Sequence, residues 1–180
     1  NSSNIEINNE NFSNHLLIEP NNNWKNYESL ICEEINVNQM NKMKLLKRGF
    51  KNILINPLIF FDKNKQTIGV HFDMHHGYGN LNKAIDLLDI SQREKFRKFV
   101  STSTSFNPHI MFIAKPKIAN EWFNNLFSWL IKCEKIFKFN ELKGYDTKRL
   151  YAYLAERYLS FWFKTYTNYK TWPWKFIELE

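Results

Sequence analysis

The chain has 180 residues, of which 43% are hydrophobic, 17% aromatic and 24% charged, with 5 Gly and 5 Pro. A load of 16 Phe, 8 Tyr and 6 Trp must be buried or bound, which excludes a disordered or low-complexity chain and leaves one folded domain or most of one. The 25 Lys and Arg against 18 Asp and Glu give a net charge of +7, a balance that suits anionic partners such as nucleic acid, phosphorylated small molecules or a membrane surface.

Residues 1–26 are polar and Asn-rich and read as a lead-in or linker, with the domain running from 27 to 180. From Tyr27 the pattern predicts two short helical pieces, with Met40, Met43, Leu45 and Leu46 leading to a stop at Gly49. Phe50 to Phe61 reads as a strand buried on both faces, with Pro57 marking an edge, a bend or a break. Gly69 to Gly79 holds three Gly and three His, a loop or short helix with unusual backbone demands. Leu81, Ile85 and Leu88 begin a helix, and Ser91 with Glu94 predicts a capping box for the next, which the Ser/Thr run 101–105 ends. His109 to Ala114 predicts a short buried strand. Pro116 can open a helix in which Ile118, Trp122, Leu126, Trp129, Leu130, Cys133 and Phe137 hold one face. After Gly144, Asp146 or Thr147 is expected to cap a last helix to about Tyr166, and 172–179 to form a closing strand. The fold class expected is helix-rich α/β, with short strands and long buried C-terminal helices.

The last helix carries the sharpest chemical signal. Leu150, Leu154, Arg157 and Phe161 share one face and Ala152, Ala155, Glu156, Leu159 and Phe163 the next, so Glu156 and Arg157 are charges placed inside, where each needs a partner or a ligand. They form either a structural ion pair or a site in which Arg157 meets a phosphate or carboxylate and Glu156 holds a sugar hydroxyl or acts as base. His71, Asp73, His75 and His76 make the second candidate. On a helix His71 and His75 lie one turn apart as metal-ligand pairs do, yet no third ligand follows; hydrogen bonding to polyols or diphosphates, base chemistry and structural roles stay open. His109, opening an apolar strand, suits either a ligand at a strand edge or a structural cap.

Other signals are missing. The sequence holds no P-loop, no G-x-G-x-x-G, no G-x-S-x-G and no D-x-D. Cys32 and Cys133 form no C-x-x-C pair, so neither a disulfide framework nor a zinc knuckle is expected and a reducing cytosol is the default. Twenty of the bases are Lys, five are Arg, and Asn occurs 24 times, a composition that reflects an AT-rich genome as much as a binding surface; the bases are dispersed, and no nucleic-acid partner is expected. The start at Asn1, without Met or a signal-like segment, suggests a piece of a longer protein.

Taken in order, Ile55-Asn56-Pro57, His71 with His75-His76, Leu81-Asn82, His109 to Ile113, Ser128-Trp129-Leu130, Arg149 with Tyr153, Glu156, Arg157 and Tyr158, and Trp172 to Glu178 resemble the C-terminal half of a bacterial family of capsular polysaccharide glycosyltransferases, originally a domain family of unknown function. The resemblance spans about 140 residues, from Glu33 onward; His109 stands where that family usually has Asn, and Tyr158 where it has Leu. It implies the latter part of a nucleotide-diphosphosugar transferase of the GT-A kind, with a nucleotide-sugar donor and a carbohydrate acceptor. It also implies a cytoplasmic location at the inner-membrane surface, with any Mn or Mg held by an N-terminal half outside this chain. Glu156, His71 and His76 would then be catalytic, and His75, Asp73, His109, Arg157 and Arg149 would bind substrate. A non-catalytic carbohydrate-binding or scaffolding module is the alternative.

Overall fold

The computed structural model describes residues 20–174, the side chain of Asp146 apart. It is a helix-rich α/β structure in which two small sheets lie against a stack of helices. The strands are β1 (Ser29–Cys32), β2 (Ile35–Asn36), β3 (Ser105–Phe106), β4 (Phe112–Ala114) and β5 (Tyr169–Trp172). The helices are α1 (Lys42–Arg48), α2 (Phe50–Ile55), α3 (Leu58–Phe61), α4 (Ile68–His76), α5 (Asn80–Ile85), α6 (Ile90–Thr102), α7 (Pro116–Phe137), α8 (Tyr145–Lys148) and α9 (Leu150–Tyr166). β1 is the middle strand of the larger sheet, antiparallel to β4 and parallel to β5, while β2 pairs antiparallel with β3.

The core is built around α9. Ten of its seventeen residues are buried, among them Leu154, Tyr158, Leu159, Phe161 and Phe163, and each large apolar side chain contributes about 1.5 to 3 kcal/mol by leaving water. α7 packs beside it and turns Ile118, Trp122, Leu126, Trp129 and Cys133 inward, the face expected from the spacing, with Pro116 in the first turn where its missing N–H costs nothing. Phe112 joins sheet to helices, its ring 4.9 Å from Trp122 and 5.0 Å from Phe163. Trp129 lies 4.9 Å from Tyr158, and its indole N–H donates to the Ala84 carbonyl at 2.7 Å.

Several local expectations are corrected. The segment 50–61 is not a strand: it forms α2 and α3, separated by Asn56 and Pro57, with the Asn56 side chain accepting from the Leu58 N–H. A continuous apolar run has no period to tell strand from helix, and here only Ile59 is buried. The first element after Tyr27 is β1 rather than a helix; the helical piece begins at Lys42, where the Asn41 side chain accepts from the N–H groups of Met43 and Lys44. α6 opens at Ile90 after Asp89, without a side-chain cap from Ser91. The 109–114 strand shrinks to Phe112–Ala114, α9 starts at Leu150 behind the separate turn α8, and the closing strand lies at Tyr169–Trp172. The rest of the closing strand expected at 172–179, and most of the polar lead-in, fall outside the described residues.

One buried polar knot ties the sheets to α9. Asn107, fully buried after β3, donates from its side chain to the Cys32 carbonyl at 2.5 Å, and its N–H donates to Ser160 Oγ at 2.6 Å. Replacing Asn107 with Ala removes the donor to the Cys32 carbonyl and the side-chain oxygen that accepts from the Ser160 hydroxyl at 3.0 Å, both in a dry site. Urea denaturation is expected to show a loss of about 2 kcal/mol, and a loss below about 0.5 kcal/mol would rule out the knot as a structural tie.

Candidate functional site

The site begins with the two charges inside α9. Arg157 is 2% exposed and Glu156 16% exposed, and the guanidinium Nη1 donates to Glu156 Oε2. Burial pulls the Arg157 pKa down to about 10, partly offset by Glu156, so the group keeps its charge at neutral pH. Its guanidinium lies 3.7 Å from the centre of the Phe106 ring, and Nη2 is 3.4 Å from His71 Nδ1. Among the described residues its Nε has no hydrogen-bond partner. Arg157 thus faces inward, toward Glu156, Phe106 and His71.

Glu156 is the outward member of the pair. Its Oε1 accepts the backbone N–H of His109 at 2.6 Å, and His109 takes a φ of 64°, left-handed backbone that a non-glycine residue adopts only where its surroundings impose it. The His109 ring lies edge-on to Trp174 at 4.9 Å. The expected position at a strand edge is therefore displaced to the turn before β4, where the backbone amide rather than the imidazole holds the carboxylate.

His71 and His75 sit on one face of α4 and stack at 4.5 Å. Burial, then the positive charge of Arg157, pull the His71 pKa down to about 3, which keeps its imidazole neutral. Because Arg157 can only donate, His71 Nδ1 is the acceptor and its Nε2 carries the hydrogen. His75 Nδ1 meets the His71 carbonyl at 2.9 Å and must donate, which leaves the His75 Nε2 lone pair for a ligand when the ring is neutral. His71, with Nδ1 facing a guanidinium and Nε2 carrying the hydrogen, offers no free lone pair to a divalent cation; among the described residues no group of three or more His, Cys, Asp or Glu side chains that could hold a metal ion occurs.

Two openings flank this chain of contacts. His71 and His75 line a cleft of about 280 Å³ together with Asn36, Gln39, Met40 and Lys44. On the open side of the larger sheet, Trp24, Leu30, Cys32, Met111, Trp172 and Trp174 line an aromatic groove of about 420 Å³. Glu156 lies close enough to Cys32 for its charge to help burial push that thiol up to about 11. Burial likewise pushes Cys133 up to about 12, so neither cysteine is a nucleophile at neutral pH.

The structure does not gather every expected site residue. Asp73 points to the opposite side of α4, where it accepts from Asn52 Nδ2 at 2.8 Å and the Gly79 N–H at 2.9 Å, and burial raises its pKa. It lines a separate polar cleft of about 470 Å³. His76 is buried and stacks on Tyr153 at 3.7 Å, and Arg149 lies on the surface over Tyr145 and Tyr153. Lys44, Trp24 and Trp174 were not singled out in the sequence, where only their basic or aromatic character was visible.

With this geometry in view, the family model described as a domain of unknown function (DUF4422) matches residues 7–168, and the chain belongs to that family. No curated protein and no solved structure matches it.

The pKa of His71 makes a sign-specific prediction. A folded value near 3, against about 6.5 in the unfolded chain, means that the unfolded state takes the proton first. The contribution of neutral His71 is complete above pH 6.5 and is lost as pH falls toward 3. The thermal midpoint of His71→Gln is expected to fall less than that of the wild type between pH 6.5 and 4; parallel slopes would contradict the assignment.

Proposed function

We propose that the chain is a glycosyltransferase domain, or its acceptor-side part, that handles the sugar of a nucleotide-sugar donor in capsular polysaccharide synthesis. The observation that carries the reading is the continuous line from His75 through His71, Arg157 and Glu156 to His109 and Trp174, which joins a polar cleft to an aromatic groove. Sugars combine hydroxyl edges with apolar ring faces, so carboxylate and imidazole acceptors beside indoles fit that chemistry. The sequence resemblance to capsular transferases supports the same reading.

In this scheme Glu156 accepts hydrogen bonds from sugar hydroxyls, held in place by the His109 amide and Arg157. The Nε2–H of His71 donates to a ligand oxygen, and the His75 Nε2 lone pair takes the proton of the attacking hydroxyl. Lys44, at the same cleft, supplies the positive charge for a diphosphate that buried Arg157 does not. A sugar-binding module without turnover is the second reading, favoured by the burial of Arg157, which leaves less charge for a leaving nucleotide.

The test is release of nucleoside diphosphate from a panel of nucleotide sugars in the presence of capsular oligosaccharide. Turnover is expected to fall about a hundredfold in His75→Gln, whereas Glu156→Gln is expected mainly to raise KM, both with an unchanged circular dichroism spectrum. Oligosaccharide binding without turnover would select the module, and binding of neither sugar class would overturn both readings.

A further inference from the structure

The outer surface of α1, α2 and α3 takes no part in the site above. On α2 the inward side is Asn52, bonded to Asp73, and Ile53, packed with Leu45 and Ile59. The opposite side presents Phe50, Leu54 and Ile55, exposed at 55%, 66% and 73%. α3 repeats the division: Ile59 is buried, while Leu58 and Phe61 stand out at 55% and 78%. On α1 Leu45 is fully buried and Met43 and Leu46 are exposed. Single exposed apolar residues are ordinary on a protein surface, but seven large ones on three consecutive helices that pack in series mark an interaction surface.

Charge decides what the surface fits. Between residues 42 and 65 the chain has seven Lys and Arg and one acid, Asp62, against 25 and 18 in the whole chain. A second copy would bring like charges together, which disfavours self-association through this face. An anionic bilayer offers both an apolar boundary for the side chains and negative headgroups for the bases, whose long stems can lie along apolar surface while the charge stays in water. Lys42 already lies over Phe60 at 5.4 Å and Lys51 over Tyr78 at 5.4 Å, cations set beside the aromatic rings of the region.

We infer that α1, α2 and α3 form a peripheral docking surface for an anionic lipid bilayer, with Phe50, Leu54, Ile55, Leu58 and Phe61 entering the boundary between headgroups and acyl chains. This gives the expected inner-membrane surface partner, drawn from net charge and the resemblance, a specific address on the protein. No helix is long and apolar enough to cross a membrane among the described residues, and the docking requires none.

The experiment is co-sedimentation of the full chain with vesicles of equal parts phosphatidylglycerol and phosphatidylcholine, beside vesicles of phosphatidylcholine alone. Binding to the anionic vesicles is expected to be at least about tenfold stronger. The exposed pair Leu54→Ser/Leu58→Ser is expected to weaken it about tenfold, and Lys47→Gln/Lys51→Gln by a similar factor that shrinks with added salt. Circular dichroism checks that both variants fold, as substitutions at exposed positions should. Failure to bind anionic vesicles would overturn the proposal. So would binding that depends on the lysines but ignores Leu54 and Leu58, which is adsorption by charge alone. A dimer in sedimentation velocity that Leu54→Ser/Leu58→Ser dissolves, with no vesicle binding, would assign the face to a second copy instead. His75→Gln is expected to leave vesicle binding unchanged, so this proposal and the glycosyltransferase reading fail separately.

Discussion

An arginine buried inside the most enclosed helix of a protein must be answered by its neighbours, and in this chain the answer organises everything around it. Arg157 is 2% exposed and charged, a state that costs several kcal/mol unless the charge is paired. Glu156, the adjacent residue, supplies the counter-charge and is itself held by the His109 amide. The Phe106 ring, 3.7 Å from the guanidinium, covers it, and His71 is kept neutral beside it. Three elements distant in sequence, namely α4, β3 and α9, meet at one guanidinium.

The same constraint divides the labour of the site. Buried charge fixes geometry, whereas the groups that line the two openings are Lys44 and the imidazoles of His71 and His75 on one side and the indoles of Trp24, Trp172 and Trp174 on the other. In the proposed scheme Arg157 is therefore a positioning residue. The thiols of Cys32 and Cys133, pushed well up by burial, contribute packing and a hydrogen bond to the Pro108 carbonyl in the case of Cys32.

Much of this was legible in the sequence where a period or a conflict was visible. α7 could be read from Pro116 onward because its apolar residues keep a helical spacing over 22 residues. Glu156 and Arg157 stood out because charges on a helix apolar nearly all round have to be answered inside. Phe50–Phe61 misled because its apolar residues are continuous and the two short helices leave most of them exposed, a property of the surface that no spacing encodes. β1 was missed because a four-residue strand, Ser29–Cys32, is too short for alternation to show. The aromatic groove could not be foreseen: Trp24, Cys32 and Trp174 meet only because β1 pairs with β5 and β4. Asp73 read as part of the histidine cluster by proximity in sequence, yet two residues along a helix turn a side chain by about 200° and carry it to the other face.

The central claim is that Glu156 and Arg157 act as one coupled, buried unit, and a double-mutant cycle tests it most directly. Unfolding free energies are compared for the wild type, Glu156→Gln, Arg157→Met and the pair. The account predicts that either single change is costly, about 3 kcal/mol for Glu156→Gln, and that the double variant recovers a large part of the loss, because an apolar side chain is no longer an unpaired buried charge. Additive losses would contradict it.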